Sequence, residues 1–178
     1  MSTRIGLFYG STTGNTEAAA ELIKANLNQF TIDLFDIADT ELTLTENYEF
    51  LIFGISTWEY GGLQDDWESR WESLAQQDFS GKIVAIFGQG DQVGYDEWFQ
   101  DGIGILHDKL TEQGATAIGY WPNSGYHFTK SKGLNEDGSE FLGLSLDDDN
   151  QPELTEQRIN DWCQEIAAVL QELTCETA

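Results

Sequence analysis

Apolar and polar positions follow two rhythms along this chain. Short, nearly continuous apolar runs occupy residues 4–9, 31–37, 50–55, 82–88 and 115–121. Runs of this length predict strands buried on both faces. Between them the apolar positions recur at helical spacing. One stripe is Ala19, Leu22, Ile23 and Leu27, a second Phe99, Ile103, Leu106 and Leu110, and a third Ile159, Trp162, Cys163, Ile166, Val169, Leu170 and Leu173. Residues 66–75 predict a shorter helix. Such alternation builds right-handed βαβ units, so the expected fold is α/β, a three-layer, doubly wound sheet of five parallel strands, with residues 1–178 forming one domain. From Tyr126 to Leu146 the rhythm breaks. A polar stretch, TKSKGLNEDGSE, leads into a strand-like FLGLSL before a last helix that begins near Thr155, and it reads as an excursion inserted at the edge of the sheet.

Sheets of this kind bind ligands beyond the carboxyl ends of their strands. The first such end reads YGSTTGNTE (residues 9–17) and leads into a helix. Backbone N–H groups at a helix N-terminus, about half a positive charge from the helix dipole, and the hydroxyls of Ser11, Thr12, Thr13 and Thr16 make it an anion site; Gly10 and Gly14 allow close approach. A nucleoside-triphosphate loop would need four residues between its glycines and a following Lys; here three separate them and Asn15 follows. The G-x-G-x-x-G of a dinucleotide loop is also absent. The third and fourth strand ends, GISTWEYGG (54–62) and FGQGDQVGYDEW (87–98), each carry an aromatic among glycines and polar residues, Trp58 and Tyr95. A flat ligand stacked between two rings accounts for both. Phosphate at one strand end and a planar ring between the next two describe flavin mononucleotide (FMN).

Charge and cysteine usage narrow the setting. Thirty-two acidic against eight basic residues give a formal charge of −24, which repels nucleic acid and anionic membrane surfaces. The same acidity serves solubility in a salty habitat or steering toward basic protein partners. No window reaches the roughly 18 apolar residues of a membrane span, and the first apolar run is too short for a signal peptide. Cys163 and Cys175 fall on one predicted helix, roughly 18 Å apart at 1.5 Å rise per residue, too far for a disulfide. A reducing cytoplasm is the expected location.

The sequence resembles the flavodoxins over essentially its whole length, through IGLFYGSTTGNTE, STWEYGGLQDDWE, VAIFGQGDQVGYDEWFQDGIGIL and FLGLSLDDDNQPELTEQRI. The excursion after residue 126 resembles the insertion that marks the long-chain class, cyanobacterial or algal in type. The resemblance implies strand order 2-1-3-4-5 with an insertion in the fifth strand. It places the phosphate on Ser11, Thr12, Thr13, Gly14, Asn15 and Thr16. The ring would lie between Trp58 and Tyr95, edged by Ser56, Thr57, Glu59, Tyr60, Gly61, Gln89, Gly90 and Asp91, with Trp98, Gln100 and Asp101 nearby. Asp147 or its neighbours would reach the ribityl chain. Asn15 stands where relatives often carry Lys, Ser56 where Pro is common and Trp98 where Asn is frequent.

By the same resemblance the chain is a low-potential one-electron carrier working between the semiquinone and hydroquinone of non-covalently bound FMN. It would be a monomer that substitutes for ferredoxin before basic-faced partners such as ferredoxin-NADP reductase and photosystem I. Relatives flip the peptide corresponding to Glu59-Tyr60 on one-electron reduction. The enzyme alternative is an FMN-dependent NAD(P)H:quinone reductase of related fold, which needs a substrate pocket over the ring. A phosphoacceptor receiver domain fails, since Tyr9-Gly10, Ser56-Thr57 and Pro122-Asn123 stand where it needs a carboxylate cluster and a Lys. His107 and His127 read as ordinary structural residues, and Asp147-Asp148-Asp149 lacks the glycine and terminal Glu of a calcium loop.

Overall fold

Ile5, Leu7 and Phe8 have no solvent exposure, because the first strand lies inside the sheet with helices on both faces. The computed structural model describes residues 3–176. In chain order it runs β1 (Arg4–Tyr9), α1 (Asn15–Asn26), β2 (Thr31–Asp36), a 3-10 turn at Leu42–Asn47, β3 (Phe50–Trp58), β4 (Gly62–Leu63), α2 (Asp65–Ala75) and β5 (Ile83–Gln89). It continues through α3 (Asp101–Glu112), β6 (Thr116–Ile118), β7 (Trp121–Pro122), β8 (Glu140–Phe141), β9 (Leu144–Leu146), a 3-10 turn at Pro152–Leu154 and α4 (Thr155–Glu176). The main path across the sheet is β2-β1-β3-β5-β6, all parallel, which is the doubly wound order 2-1-3-4-5 once the hairpin strand β4 is set aside.

Side chains alternate strictly between the two faces, as a pleated strand requires. Leu7, Ile52, Ala85 and Phe87 meet α1 and α4 through Ala19, Ile23, Ile159, Trp162 and Ile166. Phe8, Leu51, Phe53, Val84 and Ile86 meet α2 and α3 through Trp67, Leu74, Ile103 and Leu106. Of the third apolar stripe, Val169 points outward and is exposed.

The fifth strand position is shared. β6 pairs with the start of β5 and β9 with its end, both parallel, so the segment between them is an insertion within that strand. The strand expected over 115–121 therefore stops at Ile118. Gly119 turns the chain with φ 79°, and Trp121–Pro122 pairs antiparallel with β8 instead. The insertion is tied back to the loop after β5. Thr129 and Lys130 donate their amides to the Asp96 carbonyl, Phe99 N donates to Lys130 O, and Lys132 N donates to Asp101 Oδ1 at 2.7 Å. Among the described residues no helix is long and apolar enough to cross a membrane.

Candidate functional site

The carboxyl ends of β1, β3 and β5 surround a cleft of about 320 Å³. That is within the range of small-molecule sites, about 300–1,000 Å³. Thr13 and Asn15 line it from the first loop, Ser56, Thr57, Trp58 and Glu59 from the end of β3, and Gln89, Gly90, Asp91 and Tyr95 from the segment after β5. Asp149, between β9 and α4, closes the remaining side. No Lys or Arg is among these lining residues.

The first loop is shaped by its own hydroxyls. Ser11 Oγ accepts from Gly14 N at 3.1 Å and from Glu17 N at 3.4 Å, while Gly14, at φ 93°, turns the chain into α1. Thr12 Oγ1 accepts from the Gln64 side chain at 3.0 Å. A hydroxyl used as an acceptor keeps its proton to give, so Ser11 and Thr12 remain donors toward an anion. Thr16, 1% exposed, shares a 2.6 Å hydrogen bond with Ser56 that joins the first turn of α1 to β3. Gln64 is fully buried, and its Oε1 also accepts from Trp67 N at 3.4 Å as the cap of α2. Gly10 makes room for it, since a Cβ there would sit 2.2 Å from Gln64 Oε1. Nothing in the sequence marks Gln64 out from other glutamines.

β3 and β4 form a hairpin in which Trp58 pairs with Gly62, leaving Glu59, Tyr60 and Gly61 as the loop. A common three-residue hairpin loop keeps only its last residue left-handed, and Gly61 fills that role at φ 81°. Glu59 is left-handed as well, at φ 46°. For a residue with a Cβ this costs about 1–2 kcal/mol.

The segment after β5 is held by buried amides and carboxylates. Asp91 Oδ1 accepts from Val93 N and Gly94 N; burial alone would raise its pKa, but these amides and Asn150 hold it below the ordinary carboxylate value. Asp147 is fully buried, with Oδ2 accepting from Gln92 N and Nε2 and Oδ1 from Asn150 N. It anchors the loop and does not line the cleft. Its neighbour Asp149 does, with a pKa raised by burial and by Asp91, Asp147 and Asp148. Gln100 is likewise buried, left-handed at φ 59°, and its amide donates to Gly88 O, Ser145 Oγ and Leu146 O. Gln100 thus braces β5 against β9 from outside the cleft. Tyr60, Trp98 and Asp101 line a separate cleft on the other side of the β3–β4 turn, and a Cβ on Gly61 would lie 2.7 Å from Asp101 Oδ2 and 3.0 Å from Trp98.

A doubly wound sheet carrying a helix-terminal anion loop and a cleft lined by two aromatic residues at the next strand ends defines a nucleotide-type binding protein. The family model described as Flavodoxin matches residues 7–162. A flavodoxin 2 of Escherichia coli (strain K12) is 48% identical over 162 residues, covering 91% of this chain and 94% of that protein. A flavodoxin of Nostoc sp. (strain PCC 7120) is 47% identical over 162 residues with the same coverage of 91% and 94%. The crystal structure of Fusobacterium nucleatum flavodoxin bound to flavin mononucleotide superposes with a TM-score of 0.86 at 32% identity, over 92% of this chain and 96% of that one. The chain belongs to the flavodoxin family.

Proposed function

We propose that this chain binds FMN non-covalently and carries single electrons at low potential between proteins. The observation that carries the reading is the continuity of one cleft from the first loop, through Trp58, to Tyr95. The residues fit the group. Thr13 and Asn15 sit at the end where α1 presents its N-terminal amides, and the hydroxyls of Ser11, Thr12 and Thr16 adjoin it. With no basic side chain in the lining, N–H and O–H donors would hold the phosphate. The flavin, when bound, supplies a ring system that accepts electrons one at a time, and the protein tunes and presents it.

Trp58 and Tyr95 would cover the ring's faces and shut out water, while Ser56, Thr57, Glu59, Gln89, Gly90 and Asp91 border its edge. Asp149, from the acidic run the sequence singles out, would take the place beside the ribityl chain. Rings on both faces leave no room for a substrate to stack over the flavin, which favours a carrier over a quinone reductase. Asp91 at the ring's edge and Asp149 by the ribityl chain would disfavour further negative charge on the flavin and so lower its second reduction potential.

The insertion between β6 and β9 supports assignment to the long-chain class. The charge of −24 supports basic-faced partners, ferredoxin-NADP reductase and photosystem I among them, with a ferredoxin-substitute role in a cytoplasmic setting. Salt tests the partner reading: transfer to ferredoxin-NADP reductase should slow steeply from 20 to 300 mM NaCl. A rate indifferent to salt contradicts electrostatic steering.

A further inference from the structure

A second cleft, of about 440 Å³, opens on the opposite side of the β3–β4 turn from the flavin cleft. Tyr60 and Trp98 form its aromatic lining, Glu97 and Asp101 supply carboxylates, and Lys130 and Lys132 of the insertion contribute the remaining wall. Tyr60 is 74% exposed and meets Trp98 edge to face, with ring centroids 5.0 Å apart. Trp98 is half-buried and Tyr60 also meets Tyr95 edge to face at 6.4 Å, so the exposed tyrosine ring offers apolar area that a partner's side chain can cover. Asp101 is only 1% exposed, and while its Oδ1 accepts from Lys132 N, its Oδ2 has no hydrogen-bond donor among the described residues. Oδ2 keeps access to solvent at this cleft and takes no donor from the described residues, so it is free to accept from a cation that enters beside the aromatic rings.

We propose that this second cleft receives an arginine side chain of a basic redox partner, its guanidinium lying against Tyr60 and Trp98 and donating to Asp101 Oδ2. The inference rests on the electron-carrier reading for the partner's identity, and it adds a specific anchor beside the ring edge. Arginine fits better than lysine because the guanidinium is planar, stacks on aromatic rings and donates in a fixed fork. The net charge of −24 selects cationic partners at long range. Lys130 and Lys132 do not decide the sign of the occupant. Both are exposed on flexible stems and, among the described residues, neither is held in an ion pair; Lys132 acts on Asp101 electrostatically, yet its ammonium can swing clear, whereas Asp101 is fixed by its bond to Lys132 N.

The test titrates the FMN-loaded protein with hexa-arginine, hexa-lysine and hexa-glutamate at 150 mM NaCl and follows the indole N–H resonance of Trp98 by NMR. Hexa-arginine should shift that resonance and bind several-fold tighter than hexa-lysine. Asp101→Asn, read at the Trp98 resonance, and Trp98→Leu, which lacks that reporter and is read by isothermal titration calorimetry beside the unsubstituted protein, should each weaken hexa-arginine binding by roughly three- to tenfold, the scale of a cation–π contact or a charge-assisted hydrogen bond. Lys130→Gln with Lys132→Gln should tighten it by more than the distant control Lys24→Gln does. The proposal is overturned if the Trp98 resonance stays still while hexa-arginine binds, if hexa-lysine binds equally well, or if hexa-glutamate occupies the cleft and the lysine substitutions abolish its binding. Flavin absorbance of each sample reports FMN occupancy separately. A protein that takes no FMN would sink the carrier reading without touching this readout.

Discussion

The hydroxyls of Thr16 and Ser56 lie 2.6 Å apart, a direct link between the first turn of α1 and the end of β3. Thr16 is buried, so removing its hydroxyl leaves Ser56 without its partner and the helix start less firmly placed. Thr16→Val should lower apoprotein stability by about 1 kcal/mol, the net worth of a neutral hydrogen bond. It should also weaken FMN roughly tenfold while changing riboflavin little, because hydrogen bonds to a charged phosphate are worth about 1.5–3 kcal/mol. Urea unfolding and fluorescence titration with both flavins check this. Equal losses for the two flavins would make Thr16 a structural joint only.

Asp147 and Asp149 stand two positions apart and should respond in opposite directions to the same substitution. Asp147 uses both oxygens as acceptors, from Gln92 on one and Asn150 on the other, so an amide in either orientation would set NH₂ against an N–H group. Asp147→Asn should cost about 3 kcal/mol or more and loosen the loop that carries Tyr95. A change in urea midpoint within the error of the wild type would contradict this account of the loop.

Asp149 carries a pKa raised by burial and by three neighbouring carboxylates. Its charged form is therefore disfavoured in the folded protein relative to the unfolded chain. Stability then falls as pH rises from the ordinary carboxylate value through the raised folded value, and the cost is complete above it. Asp149→Asn should stabilise the apoprotein at pH 7 and confer no such gain near pH 3, where the native Asp149 is protonated in both states. Thermal unfolding from pH 3 to 8 reads this directly. A benefit that is the same at both ends would rule out titration of this carboxyl as the cause.

Much of this architecture was legible in the sequence, and the parts that were not share a physical reason. The strands could be read because β1, β3 and β5 are buried on both faces, and the first loop because glycines and hydroxyls interrupt an apolar run before a helical one. Trp58 and Tyr95 stood out as aromatics among turn residues. The hairpin strand β4 has only two residues, Gly62 and Leu63, too few for any period to show. The bracing roles of Gln64 and Gln100 depend on partners 52 and 45 positions away, Thr12 and Ser145, and no local pattern encodes them. The run Asp147-Asp148-Asp149 offers three chemically equal side chains. Only the path of the chain after β9 decides that the first is buried and the third lines the cleft.

Glu59 holds a left-handed backbone at φ 46°, next to a loop glycine that already supplies one such residue. Glycine would relieve about 1–2 kcal/mol of steric cost there and give back about 0.5–1 kcal/mol as extra freedom of the unfolded chain. Glu59→Gly should therefore be about 0.5–1 kcal/mol more stable than Glu59→Gln, which deletes the same charge and keeps the strain. Equal urea midpoints for the two variants would locate the strain elsewhere.

The central claim is that the cleft from Thr13 to Tyr95 binds FMN and that this protein delivers its electrons singly. Spectroelectrochemical reduction of the protein reconstituted with one equivalent of FMN tests it most directly. The account predicts one-to-one binding and two separate one-electron steps, the second at clearly lower potential than in free FMN because Asp91, Asp149 and the covering rings oppose added charge. Failure to bind FMN, or reduction in a single two-electron step at the potential of the free flavin, would contradict it.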